Sequence, residues 1–392
     1  MSVLLAAPIP NSRSIPRGRL ALLAVGGFAL LAGLTGALVL LGVGTPSSVT
    51  RLAGLHGELM TLGFLGTVIA LERAVALARP WGYLAPALSG AGAVALVAGV
   101  PTIGGAGIVG GALVLLAVYA AFARQERSLQ LGVQAAGAGA WAAAAVLLLA
   151  GVPVSSAYPW LAAFLVMTVI GERLDLARLG GLATGARRQL IVALWLMAIG
   201  VGATLVLPEA GTRAVGVAML AMAAWLARHD LARRTVRMGG VTRYIALCLL
   251  TGYAWLAVAG AAWALTGTAM GPAYDIRLHA LFLGFIVSMV FGHAPVIVPS
   301  VLRVPMPYSR ANDATLALLH VGLLVRIVGG DMAGLPDGLL VGGVLNVLAM
   351  LAFVAVSFVS AALELRRRRA IAAGGPPRAP LHDARQAPGR ER

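Results

Sequence analysis

Long apolar runs separated by short polar clusters organise this chain from end to end. Runs of about 20 residues, long enough to cross roughly 30 Å of hydrocarbon, fall at 20–43, 53–77, 83–100, 104–123, 129–150, 157–177, 187–206, 212–228, 242–266, 275–299, 312–332 and 337–362. The pattern predicts an all-α polytopic membrane protein of twelve transmembrane helices. It divides the chain into an N-terminal segment (1–19), a membrane domain (20–362) and a basic tail (363–392) expected to be disordered. The N-terminal run is too long, and its flank too unlike a cleavage site, for a removed signal peptide, so it reads as the first span.

Composition agrees with the pattern. The 392 residues are 60% hydrophobic and 11% charged, where a soluble domain carries about 25% charged residues, which excludes a water-soluble enzyme. The formal net charge of +16 first suggests a nucleic-acid binder, but the positions of the arginines overturn that reading. They crowd every second connection: Arg13, Arg17 and Arg19; Arg73 and Arg79; Arg124 and Arg127; Arg173 to Arg188; Arg228 to Arg243; Arg303 and Arg310; and the tail from Arg366. Only Arg51, Arg213 and Arg277 fall on the opposite side, and Arg326 falls inside a span. The bias is topological and places both termini in the cytoplasm, as expected for a multi-pass protein of a bacterial inner membrane. A single cysteine, Cys248, excludes a disulfide framework and a Cys-based metal site.

One sequence likeness recurs every four helices. The second span ends Thr67-Val-Ile-Ala-Leu-Glu72-Arg73, the sixth ends Thr168-Val-Ile-Gly-Glu172-Arg173, and the tenth carries Met289-Val-Phe-Gly292-His293 at the corresponding place. Three pseudo-repeated blocks of four helices are the expectation. That period fits poorly with the six-plus-six plan common among carriers.

Ligand-forming side chains inside a bilayer cost a few kcal/mol and usually mark a site. His56, His279, His293 and His320 lie within spans. At 1.5 Å per residue His56 sits about three residues and His279 about four residues below the outer end of their helices, so the two share one level. Paired imidazoles on different helices are what axial ligation of a haem iron requires, and structural hydrogen bonding between helices is the plain alternative. His56, Met60, Gly63 and Thr67 share one helical face, against which a flat ring could lie. His293 and His320 match in depth nearer the inner side and are candidate ligands of a second haem or metal. Arg326 approaches the outer level, where a buried guanidinium needs an anion such as a haem propionate. Glu58 reads as an interfacial carboxylate, and Glu72 and Glu172 as partners of their neighbouring arginines.

Two stretches carry a family resemblance. Leu55-His56-Gly-Glu-Leu-Met60-Thr-Leu-Gly63-Phe64 and His279-Ala-Leu-Phe-Leu-Gly284-Phe-Ile-Val-Ser-Met289-Val-Phe-Gly292 resemble the second- and tenth-helix motifs of the NnrS family, twelve-span haem proteins distantly related to the catalytic subunits of haem-copper oxidases. The resemblance implies three arcs of four helices, haem b held by His56 and His279, and a part in nitric oxide, nitrosative-stress or respiratory redox metabolism. The partners expected are the lipid bilayer, a diatomic ligand such as NO, bound if a second haem or metal lies between His293 and His320, and an electron donor such as a quinol. Haem-dependent oxidoreductase and NO-handling protein both stay open. No His-His pair or sixth-helix His-to-Tyr motif is present, so the oxidase copper centre is not expected. The alternatives from other classes are a twelve-helix secondary transporter, favoured by helix count, glycine content and buried charge, and an assembly factor for a respiratory complex.

Overall fold

The computed structural model describes residues 15–44, 46–179 and 182–372. Twelve helices are long and apolar enough to cross a membrane: α1 (Arg17–Leu40), α2 (Ser47–Leu77), α3 (Pro80–Ala98), α4 (Pro101–Ala123), α5 (Leu129–Leu149), α6 (Val154–Leu179), α7 (Thr184–Ala203), α8 (Pro208–His229), α9 (Gly240–Thr266), α10 (Pro272–Leu302), α11 (Arg310–Met332) and α12 (Pro336–Ala372). The described residues contain no strand, in keeping with a membrane domain whose backbone groups must be satisfied within each segment. Each predicted run coincides with one helix. α12 differs most, running beyond residue 362 to Ala372 through Arg366 to Arg369, because nothing in that stretch breaks a helix. The rest of the predicted tail, 373–392, and residues 1–14 lie outside the described residues.

Helix limits follow from local chemistry. Pro80, Pro101, Pro208, Pro272 and Pro336 open their helices, where the missing N–H costs nothing. Gly99 closes α3 with φ of 82°, a left-handed conformation natural to glycine. Arg51, at the start of α2, donates to the carbonyl of Val97 and ties those two ends together.

Small residues let the helices approach closely. A methyl on Gly92 of α3 would stand 2.6 Å from the carbonyl oxygen of Gly104 on α4, and one on Gly216 of α8 would stand 2.7 Å from that of Gly260 on α9. Lipid tails are as apolar as the side chains, so van der Waals contact of this kind, not hydrophobic exclusion, holds such pairs together. One face of the bundle gathers Leu22 and Leu23 of α1, Val75 of α2, Tyr83 of α3, Val301 near the end of α10, and Leu365 of α12. The described chain therefore enters and leaves on the same face, the arginine-rich one.

Three helices contain a wider turn. Leu59–Gly66 in α2, Ala280–Val287 in α10 and Val325–Met332 in α11 are π-helical, with i to i+5 hydrogen bonding. Such segments are rare and recur at functional sites, because an added residue re-aims the side chains around it. The disturbed ladder in α2 is partly satisfied from α3, where Ser89 donates to the carbonyl of Leu62 at 3.0 Å and accepts from Thr67 at 3.2 Å.

Candidate functional site

All three π segments adjoin one polar cluster toward the arginine-poor side. His56 lies three residues before the first, His279 immediately before the second, and Arg326 inside the third. At its centre is an ion pair. Arg326 is 8% exposed and donates to Asp275 through both Nε, at 2.8 Å to Oδ2, and Nη2, at 2.7 Å to Oδ1. This fork geometry is the strong form of a guanidinium–carboxylate contact. The glycine pair of α12 makes room for it: a methyl on Gly343 would lie 2.8 Å from Nη1 of Arg326. Asp275 occupies the first turn of α10, where the helix dipole favours a negative charge. The anion expected beside Arg326 is thus supplied by the protein.

The two outer histidines are held in the same way. His56 Nδ1 donates to the carbonyl of Gly33 on α1 at 2.8 Å. His279 Nδ1 lies 3.1 Å from the carbonyl of Asp275 and 3.1 Å from its Oδ1. A carbonyl can only accept, so both rings carry a proton on Nδ1, which leaves the lone pair of the neutral imidazole on Nε2. Neither Nε2 has a hydrogen-bond partner among the described residues. His56 lies within electrostatic reach of His279, Arg326 and Asp275. Asp331, on the third π segment, completes the group with a buried Oδ2 that has no partner. On the α6 side, the ring of Tyr158 meets Tyr274 at 5.8 Å and Phe282 at 6.0 Å.

The other expectations fare differently. The stripe of His56, Met60, Gly63 and Thr67 meets α1: methyls on Gly26 and Gly33 would touch Thr67 and Met60, and one on Gly63 would meet Ala29 of α1 and Ala93 of α3. Gly63 is a packing residue there, because the face that periodicity identified is covered by a neighbouring helix. Glu58 points elsewhere, lining a cavity of about 140 Å³ with Leu62, Leu96, Ile108 and Ala145.

His293 and His320 do not form a pair. His320 Nδ1 accepts from the Trp255 indole at 3.0 Å, so its Nε2–H donates to Thr251 Oγ1 at 3.0 Å, and both ring nitrogens are used. His293 instead joins a second polar cluster toward the arginine-rich side. Its Nδ1 donates to Met289 at 2.6 Å, and its Nε2 accepts from Arg173 Nη2 at 3.2 Å and lies 3.8 Å from Glu172. Arg73 Nη2 bridges Glu72, at 2.5 Å, and Glu172, at 3.2 Å. Arg173 also approaches Asp230 at 4.0 Å. The matched positions of the second, sixth and tenth helices therefore meet in one network. Among the described residues, no group of three or more His, Cys, Asp or Glu is arranged to hold a metal ion, so any iron here would rest on a two-histidine set.

Sequence reasoning missed Asp275 and Asp331. The signal for Asp275 was its i to i+4 spacing from His279, which puts a carboxylate one turn from the imidazole. Asp331 stands near the end of α11, with no histidine one helical turn away that would have singled it out.

No curated protein matches the chain. The family model described as a domain of unknown function, DUF8744, matches residues 19–362, and by that match the chain belongs to the DUF8744 family.

Proposed function

We propose that the chain is an integral membrane haem b protein of NnrS-like type, with its iron between His56 and His279. The observation that carries this reading is the shared state of the two rings. Each has Nδ1–H committed to a backbone carbonyl and an Nε2 without a protein partner, which is how protein-bound haem and metal histidines are oriented. The donor set fits a low-spin haem. Such a group would supply one-electron exchange. The residues of this chain do the rest. Gly33 and Asp275 fix the ring orientations, and the Asp275 carboxylate makes the imidazole of His279 more electron-rich. Arg326 holds Asp275 in place and provides the positive charge of the site. The resemblance in the second and tenth helices supports the same ligands and favours a role in nitric oxide or respiratory redox metabolism at the cytoplasmic membrane.

A reduced-minus-oxidised visible spectrum of the detergent-purified protein, with haem quantification, tests this. A b-type signal near one haem per chain, abolished by His56→Ala and by His279→Ala, is the expected result. A colourless protein after haem supplementation during expression would overturn it.

Asp331 favours a second reading. A half-buried carboxyl whose Oδ2 has no donor, close to Asp275 and Arg326, suits proton exchange, as in a twelve-helix secondary transporter. Counterflow driven by a solute gradient in proteoliposomes would support that reading over haem chemistry.

A further inference from the structure

On the arginine-rich face, away from both polar clusters, the starts of α9 and α11 open onto one cavity of about 560 Å³ lined by Gly240, Arg243, Tyr308, Arg310 and Asp313. Gly240 is the first residue of α9 and Arg310 the first of α11, so the cavity receives the positive ends of two helix dipoles. The start of α9 has no side-chain cap, whereas Asn312 closes that of α11 by accepting from the backbone N–H of Ser309 at 2.9 Å.

The side chains add charge of the same sign. Among the described residues, neither Arg243 nor Arg310 makes an ion pair, although a carboxylate, Asp313, lines the same cavity. That carboxylate is engaged by the hydroxyl of Tyr308. Loss of water around Tyr308, reinforced by this hydrogen bond, pushes its phenol up to about 12, so at neutral pH the proton stays on the phenol and Asp313 keeps its partner. Two uncommitted guanidiniums and an uncapped helix start are left facing one open space.

We propose that this cavity binds a phosphate group, with an anionic phospholipid headgroup as the source that its position favours. Guanidinium groups suit phosphate by geometry and charge. The cavity stands where the helices emerge on the arginine-rich face, at the depth of headgroups rather than of tails. It involves none of the residues assigned to haem, so its test is independent of that reading.

The experiment titrates the full-length purified protein with phosphatidylglycerol and counts bound lipid by native mass spectrometry. Each charge-assisted hydrogen bond from a guanidinium to phosphate strengthens binding by at least about tenfold, so the Arg243→Gln/Arg310→Gln variant is expected to bind about 100-fold more weakly. Arg234→Gln/Arg237→Gln removes equal charge from exposed positions on the same face without touching the cavity. It should lose far less. Equal losses in the two double variants would show a general surface effect and overturn the proposal. Asp313→Asn should tighten binding, a gain that damage to the fold would not produce, and unchanged or weaker binding counts against the site. Competition by millimolar inorganic phosphate would support the phosphate site and assign its source to a soluble compound. Failure to compete would support it with the lipid as source.

Discussion

The two polar clusters of the membrane domain use similar residues to opposite ends. In the cluster toward the arginine-poor side, one ion pair is fully committed, and two histidines are each anchored at one nitrogen and free at the other. The helices there are locally π-helical. In the cluster toward the arginine-rich side, α2, α6 and α10 remain α-helical, and His293 spends both nitrogens on Met289 and Arg173. Its charges are shared, with Arg73 serving two glutamates. The first arrangement leaves unused ligand capacity, and the second consumes it in tying three helices together. A buried histidine is therefore diagnosed by its second nitrogen more than by its depth.

That contrast breaks most sharply through haem content. Substituting His56 or His279 with alanine should remove essentially all bound haem, while His293→Ala should keep it near the unmodified level, as read by haem per chain. Loss of haem in all three would erase the distinction.

The next effect concerns stability. Asp275→Ala strands the buried guanidinium of Arg326 and should cost about 3–5 kcal/mol in unfolding of the detergent-purified protein. Removing both charges, as in Asp275→Ala/Arg326→Met, should recover most of that loss, because neither partner is then left unpaired. A double variant as unstable as the single one would mean that the pair does more than neutralise itself. By comparison, Glu172→Gln should cost only about 1.5–2 kcal/mol, the scale of a hydrogen bond to a charged group, since Arg73 keeps Glu72. The smallest expected change is at His320. Thr251→Val deletes the acceptor of its Nε2–H and should cost about 0.6–1.7 kcal/mol without altering haem content.

Much of this architecture was legible in the amino-acid order. Twelve apolar runs became twelve helices because a bilayer core leaves each segment few other ways to satisfy its backbone. His56 and His279 were singled out because an imidazole in an apolar run is rare and the two match in depth, with hydrogen bonding between helices as the alternative. What escaped was lateral. Depth along a helix is one coordinate, so it matched His293 with His320, although the first turns toward Arg173 and the second toward Trp255. Periodicity shows which residues share a face and not what that face meets, so the stripe through Gly63 turned out to lie against α1. The partner of Arg326 was hidden because Asp275 resembles any acidic residue in a first turn. The π segments left no mark at all, being spelled in the same Leu, Gly, Phe and Ile as the α-helical turns around them.

Those segments make the direction of a ring depend on arithmetic. An α-helix advances about 100° per residue, so deleting a single residue within Leu59–Gly66 would rotate everything on one side of it by roughly that angle relative to the other. No side chain of the cluster would have changed, yet His56 could no longer face Gly33 while Thr67 kept its place against Ser89. In α2, α10 and α11 the aim of the cluster is thus encoded as a residue count, a form of information that one insertion or deletion erases and that point substitutions leave intact.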